Sequence, residues 1–101
     1  MSYFMYDVMG SAVDEPSPET MRQVLDGLAN ADDEHPDVSL SHESGWCLSA
    51  FRSGLLIWEN PEDNSAAPGE MREVTREETL RLFGLLAVGD LASVEALPWQ
   101  R

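Results

Sequence analysis

The sequence predicts a single α+β domain, an antiparallel β-sheet of about four to five strands with two helices packed on one face. Three observations carry this reading. Apolar residues recur at helical spacing, between cap signals, over about 17–30 and 76–88. Residues 38–60 alternate polar with apolar and are cut by two Ser-Gly pairs, the pattern of a three-stranded meander. At 101 residues the chain suffices for one core and is short for two.

The elements follow in order. "YFMYDVM" at 3–9 is aromatic and β-prone and reads as a first strand. Gly10 to Pro16 is a polar connection. Ser17 is a good N-cap, and Pro18 sits at the first helical position, where a missing N–H costs nothing. Met21, Val24, Leu25 and Leu28 then form one buried stripe. "ADDEHPD" is an acidic loop. "PEDNSAAPGE" at 61–70 is a second loop, and "MREV" at 71–74 offers a further short edge strand. "TREE" at 75–78 is a capping box. Leu80, Phe83, Leu86 and Ala87 line a second helix, broadened by Leu82 and Leu85 and closed by Gly89. The tail reads as a helical turn and an extended end carrying Trp99.

Two-residue turns at Ser44-Gly45 and Ser53-Gly54 would set Glu43 opposite Trp46, His42 opposite Cys47 and Arg52 opposite Leu55. One face would then carry Val38, Leu40, His42, Cys47, Ser49, Phe51, Leu56 and Trp58, packed on the helices. The other would hold an apolar stripe of Trp46, Leu48, Leu55 and Ile57 flanked by Glu43, Arg52 and Glu59. Left uncovered, such a patch marks a partner surface, and Trp and Arg are enriched at binding hot spots. The alternative is that the first strand or the Trp99 tail covers it. Both stay open at this point.

Catalytic readings are weaker. His42 and Cys47 as cross-strand neighbours would be a nucleophile–base pair. Yet no Gly-rich or helix-terminal setting surrounds Cys47 to supply oxyanion donors, so core packing is expected instead. His35 lies among Asp32, Asp33, Glu34 and Asp37, but the spacing fits no calcium loop, and two histidines do not make a closed zinc site. No enzyme activity, metal or cofactor is expected.

Six basic residues, all arginine, against nineteen Asp plus Glu give a net charge of −13. Such a surface repels nucleic acid and anionic lipid and favours a cationic partner. Asp32, Asp33 and Glu34 join the candidate binding residues on this ground. A lone cysteine suits a reducing cytoplasm. The first ten residues lack a basic leader, and no apolar run approaches the roughly 20 residues of a membrane span.

The succession "SPETMRQVLDGL", strands ending "SGLLIWEN", a polar loop, "VTREETLRLFGLLAVGD" and a terminal "ALPWQ" resembles small bacterial immunity proteins of polymorphic toxin systems, in particular immunity protein family one. The resemblance covers most of residues 17–100 in element order. Its closest motif is a helix ending in Gly89 followed by Trp99. It implies an α+β, non-enzymatic, cytoplasmic protein that binds and occludes a cognate toxin, often a nuclease or nucleic-acid deaminase with a basic cleft. The free protein is expected to be a monomer. The rival expectation is a small acidic regulatory or scaffold domain, pairing with a second copy through its sheet.

Overall fold

A computed structural model describes residues 2–34, 36–63, 65 and 67–101. The chain runs β1 (Tyr3–Tyr6), β2 (Ala12–Asp14), α1 (Pro18–Asp26) with a 3-10 extension (Gly27–Asn30), β3 (Asp37–His42), β4 (Cys47–Phe51), β5 (Leu56–Glu59), β6 (Gly69–Met71), α2 (Arg76–Ala87) and α3 (Leu91–Glu95). The strands form one antiparallel sheet in the order β2-β1-β3-β4-β5-β6. The fold is α+β, with a multi-stranded antiparallel sheet and two major helices against it. Six strands stand among the described residues where four to five were expected. β2 was expected as a connection; only Val13 of its three residues turns toward the core, opposite Met5, so it carries no period. The last strand is Gly69–Met71, not 71–74.

The helix signals act as read. The Ser17 side chain accepts from the Thr20 N–H, and Met21, Val24 and Leu25 are buried. Thr75 accepts from the Glu78 N–H at 3.1 Å. The Glu78 carboxylate turns to Arg81 instead of reaching back, so half the capping box forms. Past α2, Gly89 has φ +80°. Its N–H reaches Leu86 O at 3.0 Å and the Asp90 N–H reaches Leu85 O at 2.9 Å, a Schellman closure.

All three tight hairpins share one turn. The Gly45 N–H donates to His42 O at 2.9 Å while the His42 N–H donates to Trp46 O at 2.9 Å. Gly54 and Phe51 repeat this, as do Gly10 and Asp7. Each loop has three residues and ends in a glycine at φ +81°, +95° or +91°, a type I turn closed by a glycine bulge. The Ser-Gly pairs are therefore the last two residues of three-residue turns. Register moves by one at both: Ser41, not His42, stands opposite Cys47, and Ala50 stands opposite Leu56. Two successive shifts leave β3 and β5 facing as expected and turn β4 over.

Turning β4 over completes the core. Leu48 and Ala50 join Met5, Val38, Leu40, Leu56 and Trp58 beneath Leu82, Phe83 and Leu86 of α2, which lies over β3 and β4. The three tryptophans stack at one end: Trp46 on Trp58 with ring centroids 4.5 Å apart, and Trp58 near Trp99 at 6.0 Å. Trp58 Nε1 donates to Glu95 and Trp99 Nε1 to Val94 O. Gln100 exchanges two backbone hydrogen bonds with Glu70, so the tail covers the β6 edge.

Candidate partner-binding face

Antiparallel pairing places directly opposed residues on one face. The buried sheet residues all lie on the helix side. On the outer side, alternation builds three transverse rows. The first is Asp14, Phe4, Ser41, Cys47, Glu59. The second is Ala12, Tyr6, Ser39, Ser49, Ile57, Glu70. The third pairs Asp37 with Phe51, whose N–H bonds Leu55 O. None of these residues is buried. Short Ser and Cys side chains along β3 and β4 form a floor. Phe4 and Tyr6, edge to face at 5.2 Å, wall it on the β1 side, and Ile57 and Leu55 wall it on the β5 side. Each row includes a carboxylate.

The expected patch is redistributed. Leu48 is 0 % exposed and Trp46 is stacked on Trp58, so neither belongs to the outer face. Leu55, Ile57 and Glu59 do belong to it, half-buried. Glu43 and Arg52 are exposed turn residues. Arg52 is the one arginine without an ion pair among the described residues; the other five all have acidic neighbours. Asp32, Asp33 and Glu34 are exposed, while His35 lies outside the described residues. A cleft of about 220 Å³ brings Glu34 and Pro36 beside Tyr6, Asp37 and Ser39, so the acidic loop borders the outer face. Phe4, Tyr6, Asp14, Asp37 and Glu70 were missing from the sequence-derived set. For Phe4, Tyr6 and Asp14 the signal is the three-residue turn ending at Gly10, which fixes the β1–β2 register.

Two of these carboxylates act on the floor. Burial pushes the Cys47 thiol above its ordinary value, and the charges of Glu59 and Asp37 push the same way, against hydrogen bonds from Ser41 and Ser49. Partial burial likewise raises the Asp37 carboxyl, against the hydrogen bond from its own backbone N–H.

This arrangement corrects the pairing of His42 with Cys47. His42 lies on the helix side, where its Nδ1 meets Ser44 Oγ at 2.9 Å and accepts from the Ser44 N–H at 3.1 Å. Cys47 lies on the opposite side, 3.4 Å from Ser41 Oγ. A thiol held protonated is a poor nucleophile. At the far end of the sandwich, a cleft of about 330 Å³ runs between Leu25, Phe51, Arg52 and Glu73. Its second cation, Arg76, is engaged: it donates to Leu25 O at 2.8 Å and holds the end of α1. Among the described residues, no three His, Cys, Asp or Glu side chains gather as a metal site, and no helix is long and apolar enough to cross a membrane. Compared with protein-family models, curated proteins and solved structures, the chain matches none.

Proposed function

We propose that this chain is a protein-binding module that neutralises a cationic partner domain by covering it, as an immunity protein covers a toxin. The carrying observation is the outer sheet face, an apolar and small-residue surface with a carboxylate in every row. Net charge supports the same partner: −13 would steer a basic cleft toward this protein and speed their association. A nuclease or nucleic-acid deaminase, whose cleft is basic because its substrate is a polyanion, has the matching chemistry. A non-enzymatic role fits the separation of His42 from Cys47 and the raised Cys47 thiol. A cytoplasmic setting fits the single unpaired cysteine.

The test is to purify the chain and mix it with the product of the adjoining gene at low and at physiological salt. The expected outcome is a 1:1 complex, strongest at low salt, in which the partner's activity on nucleic acid is lost. Absence of a complex at low salt, or a stable homodimer by light scattering, would move the protein to the regulatory or scaffold class.

A further inference from the structure

Resting on that reading, we infer that the outer face receives one α-helix of the partner, apolar along one stripe and arginine- or lysine-bearing at its flanks. Shape comes first. The walls stand on β1 and β5, three strand spacings apart, which is about 14 Å. The floor between them is Ser39, Ser41, Cys47 and Ser49. That spacing runs between strand axes and the wall side chains take up part of it; a helix with its side chains is about 10–12 Å across, so there is room for one helix at most, seated with its lower side chains on the floor. The two small-residue rows lie about 7 Å apart along the strands, and the third, Asp37 with Phe51, closes the end about 13 Å from the first, so the trough takes about two helical turns.

Charge selects the occupant. Glu59 lies beyond the floor on the β5 side, Glu70 beyond Ile57, Asp14 beyond Phe4, and Asp37 at the end with Phe51. Glu34 and Asp37 both line the cleft beside Tyr6. A second copy of this chain would set these carboxylates against their own images, and a polyanion would meet them directly. A helix with basic flanks would pair them instead, while its apolar stripe met Phe4, Tyr6 and Ile57. The Tyr6 ring, 44 % exposed beside Glu34 and Asp37, offers a face for a guanidinium. Glu59 and Asp37 both press on the Cys47 thiol, so their field already converges on the floor.

The test uses the full chain, 15N-labelled, and a synthetic 15-residue helical peptide with a leucine stripe and arginine flanks. The control has the same length and charge with one central uncharged residue replaced by proline, which breaks the helix. Expected is saturable binding, with amide shifts at Ser39, Ser41, Cys47, Ser49 and Ile57, weakened about ten-fold or more by the proline. Asp37→Asn and Glu59→Gln each weaken it about three-fold. Ser49→Trp, which fills the trough from a half-exposed site, abolishes it while circular dichroism and the unfolding midpoint stay as in the parent. Equal affinity for the proline peptide, shifts confined to other surfaces, or binding that survives Ser49→Trp each overturn the inference. So does absence of binding. The adjoining-gene complex is scored separately: if it forms and survives Ser49→Trp, the immunity reading stands and the trough is not its site.

Discussion

Asp37 shows most directly what a carboxylate on the outer sheet face costs the fold. It is the first residue of β3, opposite Phe51, and desolvation raises its carboxyl from the ordinary 3.8. The folded state therefore binds this proton more tightly than the unfolded chain. The resulting stability is fully present below the unfolded value and is lost as pH rises through the folded value. At pH 7 the charged Asp37 is a small liability. Asp37→Asn keeps an acceptor for the backbone N–H and removes the charge. It should stabilise the protein at pH 7 by less than about 1 kcal/mol, a figure discounted for the solvent that screens so exposed a group. The gain should shrink as pH is lowered toward 3.8. Urea unfolding of both proteins at pH 7 and pH 4 checks this. An equal difference at the two pH values would mean that the carboxyl does not titrate in the folding equilibrium.

Elements are held by a few close approaches, of which the one at the β6–tail junction is made against an atom that cannot swing aside. A Cβ on Gly69 would lie 2.7 Å from Trp99 Cβ, next to backbone and unable to swing away. Trp99 is itself fixed by its bond to Val94 O and by the Gln100–Glu70 pair. Gly69→Ala should therefore cost about 1–3 kcal/mol and loosen the β6 edge. Gly27→Ala is the internal control. There the new methyl meets only Val8 Cγ1 at 3.7 Å, at a right-handed helical position, so stability should hold or rise. Chemical denaturation followed by tryptophan fluorescence separates the two. Which helices exist was legible in the sequence, because caps and 3.6-residue periods are local signals. Ser17, Thr75 and Gly89 each mark a boundary that the chain respects. Which face β4 presents was not legible, because it depends on whether a Ser-Gly pair is the whole turn or its last two residues. That single residue sends Leu48 into the core and Cys47 out of it. The outer-face residues on β1 and β2 escaped because β2 is three residues long and its pairing with Phe4 and Tyr6 is set by a turn at Asp7.

At the scale of the molecule, charge is the dominant property, and it would act with opposite sign on the free protein and on the proposed complex. The protein measures 33 × 28 × 23 Å and carries −13. At 10 mM salt the screening length is about 30 Å, so every carboxylate feels every other. At 150 mM it is about 8 Å, and only neighbours interact. The arginine pairs offset little of this, since both partners in each are at least one-third exposed and exposed pairs are worth about 0–1 kcal/mol. Raising sodium chloride from 10 to 150 mM should therefore stabilise the free protein. A gain of about 1 kcal/mol would raise the melting temperature by about 4–8 °C in a domain of this size. The same ions screen the carboxylates from a cationic partner, so affinity for it should fall about ten-fold or more over that range, mainly through a slower association rate. Measuring both on one preparation makes the comparison internal. A melting temperature that falls with salt would mean that the exposed ion pairs outweigh the net repulsion. An affinity that ignores salt would mean that the partner is held by the apolar walls of the trough and not by its carboxylates.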